Sequence, residues 1–234
     1  MMLTVEDLHA GYGASIVLQG LGLTIEAGEI VTILGRNGSG RSTLCKALMG
    51  LIPKRGRVVF QGIDLTASPA HEIAGAGIGY VPEERAVFQK LTVEENLLLG
   101  VKGSRSHRPA WQIDDLFALF PRLRERRRVK AGNLSGGEQQ MLSIFRTMLG
   151  NPELILVDEP TEGLAPMIVE RVGETLRELK RRGTAVLLLE QKLALALEVA
   201  DRVLVMGHGQ IVFAGSVDSF RRSPDIRRRW LEVS

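Results

Sequence analysis

The stretch "IVTILGRNGSGRST", residues 30–43, joins a continuous apolar run to a glycine-rich turn. Residues 30–34 read as a buried strand, and residues 42–49 as a helix ending near Gly50. Between them Gly35, Arg36, Asn37, Gly38, Ser39, Gly40, Arg41, Ser42 and Thr43 keep the spacing of a phosphate-binding loop, G-x-x-x-x-G-K-[ST]. One position departs: Arg41 stands where that loop carries lysine. The glycines at 35, 38 and 40 let backbone N–H groups turn inward toward phosphate oxygens. The following helix adds its positive end, and the Ser42 hydroxyl suits magnesium.

Outward from the loop, "ELILVDEP" (residues 153–160) is a second buried strand with carboxylates at its end. In open α/β sheets ligands bind at the carboxyl ends of strands, which puts Asp158 beside the phosphate site. Asp158 would bind magnesium, directly or through water, and Glu159 would accept a proton from the attacking water or orient it. "TAVLLLEQ" is a third buried strand, and the amphipathic "MIVERVGETLRELKRR" before it is a helix with i,i+4 charge pairs. Shorter strands are expected at residues 3–5, 21–25, 57–60, 77–81, 202–206 and 210–214, with "HAGYGAS" breaking the first two.

From residue 91 to about 150 the period becomes helical, in "TVEENLLLG", "IDDLFALFPRL" and "GGEQQMLSIFRTMLG", around a polar surface loop "KGSRSHRPA". Alternating strands and helices imply a mostly parallel sheet covered on both faces, and the helical block reads as an insertion into that α/β core. "NLSGGEQQ" opens its last helix. Ser135 and Glu138 have capping-box spacing, while Gly136 and Gly137 add exposed N–H groups suited to an anion.

Composition narrows the class. A chain of 234 residues, 44% hydrophobic and 24% charged, is enough for one well-cored globular unit with a small subdomain. No apolar stretch reaches the roughly 18 residues that span a bilayer, and the first residues lack the pattern of a secretory signal. The sole cysteine, Cys45, suits a buried packing role in a reducing compartment. The net charge of +3 is modest, so the basic runs at 122–130 and 221–229 read as solvated faces and a polar tail. Aromatics interleaved with charge are missing, which argues against a nucleic-acid partner.

In this order and spacing the motifs resemble those of ATP-binding subunits of ABC transporters, over nearly the whole chain. Residues 35–43 match the family's phosphate loop, 154–159 its acidic strand, and 134–140 its signature. The resemblance implies a P-loop NTPase (RecA-like) core with a mostly parallel sheet, an N-terminal antiparallel β subdomain and an inserted helical subdomain. Residues 1–85 and 151–234 would form the core and 86–150 the helical part. It also implies ATP and Mg2+ as ligands, with Tyr12 stacking on adenine and Ser135, Gly136, Gly137 and Glu138 meeting the ATP of a partner chain. That partner would be a second ATP-binding subunit, identical or a paralogue, packed head to tail. Transmembrane permease subunits would dock on the pair at the cytoplasmic face of the membrane, and a periplasmic or extracellular solute receptor would act indirectly.

Three departures narrow the subfamily. Glu83 replaces the usual glutamine near the metal and attacking water, Gln191 replaces the usual switch histidine, and Ala165 replaces an aspartate. With "VPE", "LTVEENL" and "GLAP" they are similar to subunits of branched-chain amino acid importers and their urea and amide relatives. By that resemblance Glu83 and Gln191 join Glu159 as catalytic residues, and Glu83 joins Ser42 and Asp158 at the metal. A regulatory subunit that binds nucleotide with impaired turnover is the competing expectation, because of Arg41. A DNA-repair or translation ATPase is disfavoured, since the chain has no room for coiled-coil insertions or a second cassette.

Overall fold

The structure, a computed structural model, describes residues 1–101 and 109–232. Most of the loop expected at "KGSRSHRPA", residues 102–108, lies outside the described residues. The strands are β1 (Leu3–Tyr12), β2 (Ser15–Ile25), β3 (Ile30–Leu34), β4 (Lys54–Phe60), β5 (Ile63–Asp64), β6 (Ile78–Val81), β7 (Leu154–Asp158), β8 (Ala185–Glu190), β9 (Arg202–Gly207) and β10 (Gln210–Ser216). The helices are α1 (Arg41–Leu48), α2 (Ala70–Ala76), α3 (Val93–Leu98), α4 (Ile113–Leu119), α5 (Pro121–Glu125), α6 (Gly136–Met148), α7 (Pro166–Arg181), α8 (Leu193–Val199), α9 (Val217–Arg221) and α10 (Pro224–Trp230).

Six strands form the central sheet in the order β10-β9-β3-β8-β7-β6. All neighbours run parallel except β10, which returns antiparallel to β9. Every residue of β3, β7 and β8 is buried, as expected of parallel strands covered on both faces. Their side chains alternate between two cores. Leu154, Leu156, Leu187 and Leu189 face α1 and the second sheet, which is antiparallel with the order β2-β1-β4-β5. Ile155, Val157, Val186 and Leu188 pack instead with Met141, Ile144 and Phe145 of α6 and Leu176 and Leu179 of α7. Cys45 lies fully buried on α1 in the first core, and burial pushes its thiol up. Among the described residues no helix is long and apolar enough to cross a membrane.

The structure corrects several local expectations. "HAGYGAS" does not break the opening strands; β1 and β2 run through it as one long hairpin turning at residues 13–14. Register shifts around Asp7, whose φ is +49°, set two outward residues side by side and erase the alternation expected of a strand. "IDDLFALFPRL" is two helices, because Pro121 removes a backbone donor and starts α5 afresh. The basic C-terminal run forms α10, not a tail.

Candidate functional site

Strand β3 delivers the chain into the loop at Gly35. A Cβ there would lie 2.6 Å from Ser39 Oγ and 2.8 Å from the Met206 carbonyl, so the tight entry requires glycine. Gly40, at φ +108°, starts α1 with no side-chain cap and no acidic residue in the first turn. The first N–H groups of α1 therefore stay available to an anion. The loop walls an open cleft of about 270 Å³, which Glu83, Glu159 and Glu162 close on the other side. The buried Ser39 Oγ in this wall has no hydrogen-bond partner among the described residues.

Asp158 ends β7 almost wholly buried, accepting hydrogen bonds from Ser42 Oγ at 3.2 Å and Tyr80 Oη at 3.4 Å. Burial pushes its carboxyl up to about 6, against the Ser42 bond and the Arg41 charge, with Glu83 adding to the rise. Glu159 follows at φ +43°, its N–H bonded to the Leu189 carbonyl at 2.9 Å. Burial raises its carboxyl too, against the pull of Arg41.

Ser42 and Asp158 form a hard oxygen pair beside the phosphate loop. Among the described residues no cluster of three or more His, Cys, Asp or Glu could hold a metal alone. Magnesium is usually held by one or two protein oxygens together with substrate phosphates and water, so this donor set fits it.

The Arg41 guanidinium does not reach into the cleft as an open anion donor. It is buried and bonded to the Gly35 carbonyl, to the Glu190 carbonyl at 3.3 Å, to Asn37 Oδ1 at 3.3 Å and, as an ion pair, to Glu159. The residue at the lysine position thus neutralises the carboxylate expected to act on water.

Other expected residues stand apart from this cleft. Ser135 caps α6, its hydroxyl accepting the Glu138 N–H at 3.3 Å and its N–H donating to Glu138 Oε2 at 2.8 Å. Burial works against the Glu138 charge, but the Ser135 bonds with Arg126 and Arg122 hold its carboxyl below the usual range. The two glycines also have a packing reason: a Cβ on Gly136 would lie 2.3 Å from Arg85 Nη1, and one on Gly137 would lie 2.8 Å from Ile168. None of Ser135 to Glu138 lines the cleft, and neither does Tyr12, exposed at the hairpin tip, nor the exposed Gln191. Three neighbours escaped the sequence reading. Tyr80 is one apolar-strand residue among others, and Thr161 and Glu190 become neighbours only through the pairing of β7 with β8.

A family model described as "ABC transporter" matches residues 18–162. The chain belongs to the ABC transporter ATP-binding family. This ABC ATPase is 39% identical to the high-affinity branched-chain amino acid transport ATP-binding protein BraG of Pseudomonas aeruginosa, over 98% of the chain and 99% of that relative. It is 32% identical to the lipopolysaccharide export system ATP-binding protein LptB of Haemophilus influenzae, over 98% of the chain and 97% of that relative. Among solved structures, an ATP-binding cassette of an ABC transporter in its ADP conformation superposes with a TM-score of 0.81 at 28% identity, covering 97% of each chain. The ABC ATPase thus has the nucleotide-hydrolysing fold that its motifs announced.

Proposed function

We propose that this ABC ATPase powers an importer of branched-chain amino acids or related small polar solutes. The observation that carries the hydrolytic part is the meeting of the phosphate loop with Asp158 and Glu159 in one cleft. The solute class rests on the full-length similarity to BraG, at higher identity than the similarity to the LptB of Haemophilus influenzae.

In this reading ATP is the substrate, and the loop N–H groups from Gly38 to Ser42 hold its phosphates. Ser42 and Asp158 hold magnesium, with Glu83 nearby; bound there, the ion neutralises charge developing on the phosphate oxygens. Glu159 accepts a proton from the attacking water or orients it, and Gln191 swings toward the γ-phosphate once the site closes. Tyr12 stacks on adenine. Ser135 to Glu138 of a second subunit, identical or a paralogue, complete the site across a dimer interface. Closure on ATP and reopening after hydrolysis rotate residues 86–150 against the rest and drive permease subunits at the cytoplasmic face of the membrane.

The test is reconstitution with the permease subunits that this chain binds. ATP turnover stimulated by a receptor loaded with leucine or valine, and not by lipopolysaccharide, is the expected result. Stimulation by lipopolysaccharide alone would replace the importer reading with an exporter.

A second reading has the Arg41–Glu159 pair in its favour. A subunit whose water-activating carboxylate is neutralised would close on ATP, turn over slowly and regulate a more active paralogue. Steady-state turnover of the pure chain, alone and with its partner, separates the two.

A further inference from the structure

Strand β8 ends in a carboxylate that the functions above do not use. Glu190 is 2% exposed, beyond five apolar residues of the same strand. Among the described residues no cation forms an ion pair with it. It is satisfied by hydrogen bonds instead. One oxygen accepts from the buried Thr161 hydroxyl at 2.7 Å, and the other from the backbone N–H groups of Gln191 and Lys192, each at 3.1 Å. The Lys192 ammonium closes a loop by donating to the Thr161 carbonyl at 2.9 Å. The Glu190 backbone carbonyl accepts from Arg41 at 3.3 Å.

A buried carboxylate is retained at a cost unless its oxygens are met by donors, and donors of fixed position in turn fix the carboxylate. The partners of Glu190 come from three different parts of the hydrolytic apparatus. Thr161 stands two residues after Glu159, Gln191 directly follows Glu190, and Arg41 is the side chain of the phosphate loop.

We infer that Glu190 is a positioning residue for ATP hydrolysis, holding the Glu159–Thr161 segment and the Gln191 backbone at a fixed separation around the γ-phosphate. The inference rests on the proposed roles of Glu159 and Gln191 and extends them. The phosphate loop binds nucleotide through its own N–H groups, so loss of this node should slow chemistry and spare binding. Phosphoryl transfer depends on alignment, and a displacement of about 1 Å costs on the order of a hundredfold in rate.

The experiment uses near-isosteric changes on the full chain in its transporter complex. Thr161→Val removes one hydroxyl with little change of shape, Thr161→Ser keeps it, and Glu190→Gln keeps the outline of the carboxylate while removing its charge. Glu159→Gln runs in the same assay. ATP turnover, ATP affinity and melting temperature are measured for each. The expected result for Thr161→Val is a kcat lower by about tenfold or more, with ATP affinity within about twofold. Thr161→Ser should restore kcat, and Glu190→Gln should fall between the two.

Wild-type kcat in both Thr161→Val and Glu190→Gln, with Glu159→Gln inactive, overturns the inference and leaves the reading of Glu159 intact. So does a parallel loss of turnover, affinity and melting temperature, which marks a purely structural cap. Full turnover in Glu159→Gln overturns the role of that carboxylate and takes the inference with it.

Discussion

At the residue scale the decisive side chain is Arg41. Lysine and arginine carry the same charge, but an ammonium is a compact point and a guanidinium a broad planar fork. That fork bonds the Gly35 and Glu190 carbonyls and pairs with Glu159 in the same geometry. On the proposed role of Glu159, Arg41→Lys should leave ATP affinity within a few fold and raise turnover by about tenfold, because it exchanges the fork that pairs with Glu159 for a compact ammonium. Equal turnover in the two versions, measured with the membrane partner present, would mean that the arginine loop is competent as it stands. The loop itself was legible because a phosphate cradle needs glycines at set intervals, and those intervals are local in sequence. The direction of the Arg41 side chain was not legible. It is set by Glu159, which lies 118 residues away along the chain.

At the scale of elements, the turn between β9 and β10 braces the nucleotide loop from behind. The Gly209 N–H donates to the Ser39 carbonyl at 3.0 Å, and the Gly209 carbonyl accepts from Gln19 of β2 at 3.1 Å. Trp230 of α10 lies over the same turn, where a Cβ on Gly207 would meet its ring at 2.3 Å. Gly209 has φ +76°, and a Cβ on it would fall 1.8 Å from the Val17 carbonyl. Gly209→Ala should cost on the order of 1–3 kcal/mol, lower the melting temperature by about 2–4 °C for each of them, and weaken ATP binding. Gly62, at φ +80° with nothing within 4 Å of a Cβ, is the control. Gly62→Ala carries the conformational cost alone and should leave ATP affinity unchanged in a titration of the pure chain. A Gly209→Ala protein that melts and binds like the control would dismiss the brace. The strands of the parallel sheet were readable because burial on both faces makes them unbroken apolar runs. The long hairpin was not, since bulges disturb its alternation, and neither was α10, which buries no residue of its own.

At the scale of the whole molecule, Ser135 to Glu138 present a helix start that lines no part of the cleft. The proposed function has a second chain bring those groups to the same nucleotide. ATP with magnesium should shift the protein toward dimers, and Glu159→Gln should strengthen them by stopping turnover and removing a charge near the γ-phosphate. Sedimentation at saturating ATP reads this directly, and monomers of the variant, alone and mixed with a paralogous subunit, would defeat the dimer. A groove of about 520 Å³ lies elsewhere, between β6 and α6, lined by Tyr80, Phe88, Leu99, Arg146 and Thr147 among others. A cytoplasmic helix of the permease should lodge there. Cysteines placed at the exposed Glu84 and Gln89 should crosslink to it, whereas products confined to the ATPase itself would rule the groove out. The natural thiol simplifies that work. Cys45 is sealed in the core with its ionisation suppressed, so a maleimide should find no thiolate to react with while the fold stays closed. The unaltered protein is its own blank for every introduced label, and slow modification of Cys45 becomes a clock for opening of the core.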